Sequence, residues 1–211
     1  MAWLAHFNPY HDENGRFTSP MAGGIAKKGK IFNRYSNALE TDIRKGEYVS
    51  SSGIDKKLYR RDAKLGNLGF DPSKKIYRVK IKAIDDVKVA NGYEFVEKLL
   101  KSNSDDITKS EQARNTYSKL KNSRFYDKTT PYSKARAQFN DADVTNSDAN
   151  QLIKYLHTEM TSEKGQKLVD SYARKGYDAI PDIEDLSYSA YTSPMMILNP
   201  DKFKIVKVRR A

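Results

Sequence analysis

The segment Tyr77-Arg78-Val79-Lys80-Ile81-Lys82-Ala83 alternates apolar and basic residues without interruption. Side chains of an extended chain point to opposite faces with period two, so this pattern predicts a half-buried strand with its basic side chains outward. Val87 and Val89 extend the pattern beyond an Asp85-Asp86 turn. Met195-Met196-Ile197-Leu198 is apolar throughout, the mark of a strand covered on both faces. Asn199-Pro200 turns the chain, and Phe203 to Val208 reads as a last strand. Shorter strands are predicted at 31–35, 47–50 and 177–180. Tyr77, Val79, Ile81, Ile180, Ile197 and Leu198 are expected to face one core.

Between these strands the period changes to that of helices. Tyr93, Val96, Leu99 and Leu100 share a helical face. Thr108 and Glu111 have the spacing of a capping box before Ala113, Tyr117 and Leu120. A helix from about Ser147 turns Leu152, Tyr155, Leu156 and Met160 inward. Another runs from about Glu163 to Lys175 with Leu168, Val169 and Tyr172 inward, and Gly176 is placed to end it in the left-handed conformation. Ala38, Leu39 and Ile43, and further on Ile54, Leu58 and Leu65, also have helical spacing. Residues 121–146 are polar and predict irregular structure. The expected class is α+β: short strands from both ends of the chain form a split β core around a helical middle. Residues 1–29 hold turn dipeptides and no period and read as a flexible leader, of which residues 1 to about 25 are expected to be dispensable for folding. Residues 30–211 read as a single domain.

Composition narrows the chemistry. With no cysteine, disulfides, thiol catalysis and thiolate metal sites are excluded. Three scattered histidines, His6, His11 and His157, offer no zinc site, so no metal is expected. No apolar run reaches the roughly 20 residues that span a bilayer, so no membrane partner is expected. The phosphate-binding glycine patterns and the nucleophile elbow are absent. The net charge of +11 favours an anionic partner: nucleic acid, a nucleotide cofactor or an acidic protein.

Two groups of residues carry the remaining signal. The first is Arg34 on its strand, then Gly46-Glu47-Tyr48-Val49-Ser50-Ser51-Ser52 and Tyr59. The second is Gly176-Tyr177-Asp178-Ala179-Ile180, the acids Asp182, Glu184 and Asp185, and Ser193 to Pro200. Their order resembles the ADP-ribosyltransferase superfamily as found in phages and mobile elements. The resemblance touches residues 31–90 and 146–211. It implies an ADP-ribosyltransferase-like fold and NAD as cofactor. Arg34 would hold the pyrophosphate bidentately. Ser50, Ser51 and Ser52 would meet the nicotinamide ribose, and Tyr48 or Tyr59 the nicotinamide ring. A carboxylate would stabilise the oxocarbenium-like transition state. Glu184 is the first candidate and Asp182 the second. The chain departs from the family here: Thr192-Ser193-Pro194 stands where the acid is usual. Either the acid comes from the acidic segment or the domain is catalytically dead. The plainer reading makes Arg34 a surface arginine, the serines a polar turn, and Asp178 a turn cap.

Asn8-Pro9-Tyr10-His11-Asp12 with Gly15-Arg16-Phe17 resembles a short segment of phage head-associated proteins. That resemblance implies phage origin and a place in the host cytoplasm, with carriage in the virion as an extension. Three functions follow as expectations. One is a toxin-like effector that transfers ADP-ribose from NAD to a host protein or nucleic acid. The second is a non-enzymatic nucleic-acid-binding or anti-defence protein that uses its basic surface. The third is a minor virion protein. A pocket joining Arg34, the serines and an acid favours the first. A continuous basic stripe favours the second.

Overall fold

The computed structural model describes residues 10–11, 23–50, 73–101, 107–122, 144, 146–181 and 194–210. The strands are β1 (Tyr10–His11), β2 (Gly24–Ala26), β3 (Ile31–Ser36), β4 (Tyr48–Ser50), β5 (Tyr77–Ala83) and β6 (Val87–Val89), then β7 (Ala179–Pro181), β8 (Pro194–Ile197) and β9 (Phe203–Arg210). Between β6 and β7 lie α1 (Gly92–Lys101), α2 (Ile107–Asn122), α3 (Asn146–Thr161) and α4 (Glu163–Arg174). A 3₁₀ turn, Pro200–Lys202, links β8 to β9. The class is α+β, as expected. The β core is not split: strands from both ends interleave in one sheet of order β1-β2-β6-β7-β8-β4-β3-β5-β9.

Every pairing is antiparallel except β6 with β7, where Val89 faces Ala179. A parallel pair needs a long crossover, and the four helices supply it. Asn91 starts α1 by accepting the Glu94 N–H at 3.1 Å, and Ser162 starts α4 by accepting the Gly165 N–H at 3.1 Å. At the end of α4, Gly176 adopts φ +79°, and the Tyr177 N–H returns to the Tyr172 carbonyl at 3.2 Å. Gly165 has a packing reason. A Cβ there would lie 1.9 Å from the Glu159 carbonyl oxygen, so only glycine lets α4 start this close to the end of α3.

The expected single core is two cores, one on each side of the sheet. Ile180, Met196 and Leu198 pack with Phe95, Leu99, Leu152, Leu156 and Val169 of the helices. Val79, Ile81, Met195 and Ile197 pack with Ala26, Phe32, Val49, Val87, Val89 and Phe203. Among the described residues the second cluster holds no helical residue, and the sheet curls around it. Alternation along β8 divides its apolar run: Met195 and Ile197 serve the strand-only core, Met196 and Leu198 the helical one. Tyr77 is only half-buried.

Three further expectations change. The leader boundary at 29 moves toward the N-terminus, because Gly24–Ala26 pairs with Val87–Val89 and Ala26 is fully buried. Tyr10 and His11 pair in turn with Ala26 and Ile25. The helix expected at Ala38, Leu39 and Ile43 is absent. Leu39 is 68% exposed, and Ser36 Oγ accepts the Ala38 N–H at 3.1 Å, a local turn that competes with helix. Thr108 is no cap, because α2 already begins at Ile107. The face of Ile54, Leu58 and Leu65 lies outside the described residues.

Candidate functional site

Arg34 stands on β3 and Tyr48 and Ser50 stand on β4, the next strand in the sheet. The register places Asn33, not Arg34, opposite Ser50. Asn33, Tyr48 and Ser50 therefore share the helical face, where the Tyr48 ring lies 6.3 Å from His157 of α3. Arg34 points to the other face with Phe32. The proposed cofactor set is thus divided by the sheet.

The guanidinium of Arg34 already has anionic partners. Its Nη2 lies 2.8 Å from Glu40 Oε1 and its Nη1 2.8 Å from Glu47 Oε2. The side chains of Arg34, Glu40 and Glu47 are only 21%, 11% and 18% exposed. Glu47 also accepts the Arg44 N–H at 3.0 Å. The contact with Nη1 is an ion pair without a well-aligned hydrogen bond, and the second oxygen of Glu40 is buried with no hydrogen-bond partner. This partly buried triad ties the 37–46 connection to the start of β4. Both edges of the fork expected to hold a pyrophosphate are occupied by carboxylates.

Ser51, Ser52, Tyr59, Asp182, Glu184 and Asp185 lie outside the described residues. The segment carrying the three acids joins Pro181 of β7 to Pro194 of β8, and Pro194 pairs with Ser50. On the far side of Ser50, the buried Asn33 accepts from Arg78 Nε and Nη2 at 3.2 and 3.0 Å.

The Gly176–Ile180 and Asn199-Pro200 motifs form a structural latch. Asp178, 7% exposed, accepts the Lys88 N–H at 2.8 Å and the Asn199 Nδ2–H at 2.9 Å. Its own N–H donates to the Lys88 carbonyl, and its carbonyl accepts the Leu198 N–H. One aspartate thereby joins the ends of β6, β7 and β8. Tyr177 lies against Tyr172, with the Lys88 ammonium 4.8 Å above its ring.

A charged feature among the described residues lies on β5 and β9. Across this pair Arg78 stands opposite Arg209, Lys80 opposite Lys207, and Lys82 opposite Lys204. All except the half-buried Arg78 are exposed. Lys204 and Lys207 are three apart and would fall on opposite faces of a regular strand. A bulge at Val206 adds one residue and turns both to the same side. Among the described residues none of the six makes an ion pair, and the Arg78 side chain bonds the neutral Asn33. The nearby acids Asp85 and Asp86 are engaged elsewhere. A hydrogen bond from Lys202 holds Asp85 below the usual carboxylate range, and the Lys28 backbone N–H does the same for Asp86. Burial pushes the Lys30 ammonium down. The alternation in β5 was legible in the sequence. Its alignment with the basic residues of β9 depends on the bulge and was not.

Among the described residues, no helix is long and apolar enough to cross a membrane. No family model, curated protein or solved structure matches the chain.

Proposed function

We propose that this protein binds nucleic acid, through the phosphate backbone, on the basic face of β5 and β9. The observation that carries this reading is the set of three like-charged pairs standing directly opposite one another without acids between them. Like charges in that position destabilise a sheet, so the arrangement does not serve the fold. A polyanion would relieve it. Along β5 the basic side chains of Arg78, Lys80 and Lys82 follow one another at about 6.8 Å, a spacing suited to a regularly charged chain. The exposed residues of these rows include no aromatic, so the face offers phosphate contacts and no stacking platform. Binding is therefore independent of sequence. With the phage resemblance of residues 8–17, the reading becomes that of a phage nucleic-acid-binding or anti-defence factor acting in the host cytoplasm.

Anisotropy titration of a labelled mixed-sequence oligonucleotide tests this. The logarithm of affinity should fall linearly with the logarithm of salt concentration, with a slope near −4 for a single strand contacting about six phosphates. Lys80→Ala should reduce the slope by about 0.7 without changing preference among sequences. No binding at low salt, or binding indifferent to salt, contradicts the reading.

A second reading keeps ADP-ribosyl transfer from NAD. The adjacency of β3, β4 and β8, with Pro194 beside Ser50, favours it. It brings one end of the segment that carries Asp182 and Glu184, at Pro194, to the serine strand. In this reading Ser50 to Ser52, Tyr48 and Tyr59 meet the nicotinamide riboside, and a group other than Arg34 holds the pyrophosphate. Incubation with labelled NAD and host lysate should then give label transfer and nicotinamide release, both lost in Glu184→Gln and Asp182→Asn together. No label transfer by the wild-type chain removes this reading.

A further inference from the structure

Beside the basic face, the β5–β9 end of the sheet opens into a groove of about 500 Å³. Lys28, Lys82 and Lys204 line it with Gly29, Ile84 and Val206. We infer that this groove seats the phosphorylated end of a nucleic-acid strand lying on the β5–β9 face. The inference rests on the nucleic-acid reading above and adds a preference for strand ends.

Five observations support it. The volume falls within the range of roughly 300–1,000 Å³ typical of small-ligand sites, enough for one nucleotide. Three lysines from separate parts of the chain converge there, and among the described residues none of their ammonium groups is ion-paired. The nearest acids are engaged: Asp86 pairs with Lys27 at 2.9 Å and accepts the Lys28 N–H at 2.9 Å, while Asp85 pairs with Lys202. Lys28 also acts on Asp85 through space, so a bound anion would take over part of that interaction. The apolar wall suits the face of a base: Ile84 is 43% exposed and Val206 is 47% exposed. Finally, Gly29 adopts φ +91° with open space where a Cβ would stand, so the backbone there is open to close approach.

Charge selects an end over an interior. A phosphodiester carries one negative charge, whereas a terminal monoester carries about −1.5 to −2 at neutral pH. Lys82 and Lys204 belong to the groove and to the basic face alike. A strand held along the Arg78–Arg209 and Lys80–Lys207 rows therefore runs its end toward Lys28.

The test compares full-length protein binding to one oligonucleotide prepared with and without a terminal phosphate at either end. The phosphorylated form should bind roughly tenfold tighter, as expected for one added charge-assisted contact. Lys28→Ala and Val206→Glu should each remove that preference and leave affinity for the unphosphorylated strand nearly unchanged for Lys28→Ala. Equal affinity for both forms overturns the end site while the face still binds. Failure of both forms to bind overturns the nucleic-acid reading as well. A free mononucleotide that binds as tightly as the phosphorylated strand overturns strand-end recognition in favour of a free nucleotide ligand.

Discussion

Ile197→Asp should yield no soluble folded protein. Ile197 is fully buried in the strand-only core with Val79, Ile81 and Phe203. Its backbone is also committed: its N–H donates to the Glu47 carbonyl and its carbonyl accepts from Gly46, both at 2.8 Å. Removing the apolar side chain alone costs about 2–5 kcal/mol. An unpaired carboxylate in the same place adds several more. The sum is comparable with the roughly 5–15 kcal/mol that stabilises a whole domain. Val206→Asp, at the exposed bulge of β9, is the control and should fold. Soluble yield and far-ultraviolet circular dichroism distinguish the two. A folded, cooperative Ile197→Asp protein contradicts the placement of β8 at the centre of the sheet.

Arg34→Ala should lower the unfolding free energy by about 3 kcal/mol, the low end for a buried ion pair broken from one side. The low end applies because Arg34 retains 21% exposure. The change leaves Glu40 and Glu47 adjacent, partly buried and without their shared cation. Arg34→Lys should recover only part of the loss, since one ammonium cannot reproduce a planar fork held between two carboxylates. Urea unfolding midpoints at constant slope measure this. An unchanged midpoint in Arg34→Ala would show that the guanidinium is not structural and would return it to candidacy for ligand binding.

Period-two and period-3.6 patterns carried much of the fold. β5, β8 and β9, and the helices around Leu99, Leu156 and Val169, follow from side-chain alternation and stripe. Local signals failed where long-range pairing decides. The resemblance opens Arg34 and the serine strand into one cleft, and the two strands are neighbours, but the Asn33–Ser50 register sends the Arg34 side chain to the other face. A shift of one residue would have reversed that outcome. Ala38, Leu39 and Ile43 have helical spacing, yet the chain there is held by Arg34 acting on Glu40 and Glu47, contacts that no local window contains. Ala26 resembled leader because β2 is three residues long, too short for a period to emerge. The Gly176–Ile180 motif was visible as a pattern, while its use of Asp178 as a latch required Lys88 and Asn199 from elsewhere in the chain.

The basic ladder makes a demand that ordinary surface lysines do not. If Lys80 and Lys207 oppose each other at a cost to the fold, replacing one by an acid should improve the fold and harm the function. Lys207→Glu converts a repulsive cross-strand pair into an attractive one. Thermal unfolding and oligonucleotide affinity, measured on the same preparation, read both effects. The melting temperature should rise by on the order of 1–3 °C. Affinity at low salt should fall at least tenfold, with a shallower salt dependence. A Lys207→Glu protein that binds the oligonucleotide as tightly as the wild type would contradict the nucleic-acid face.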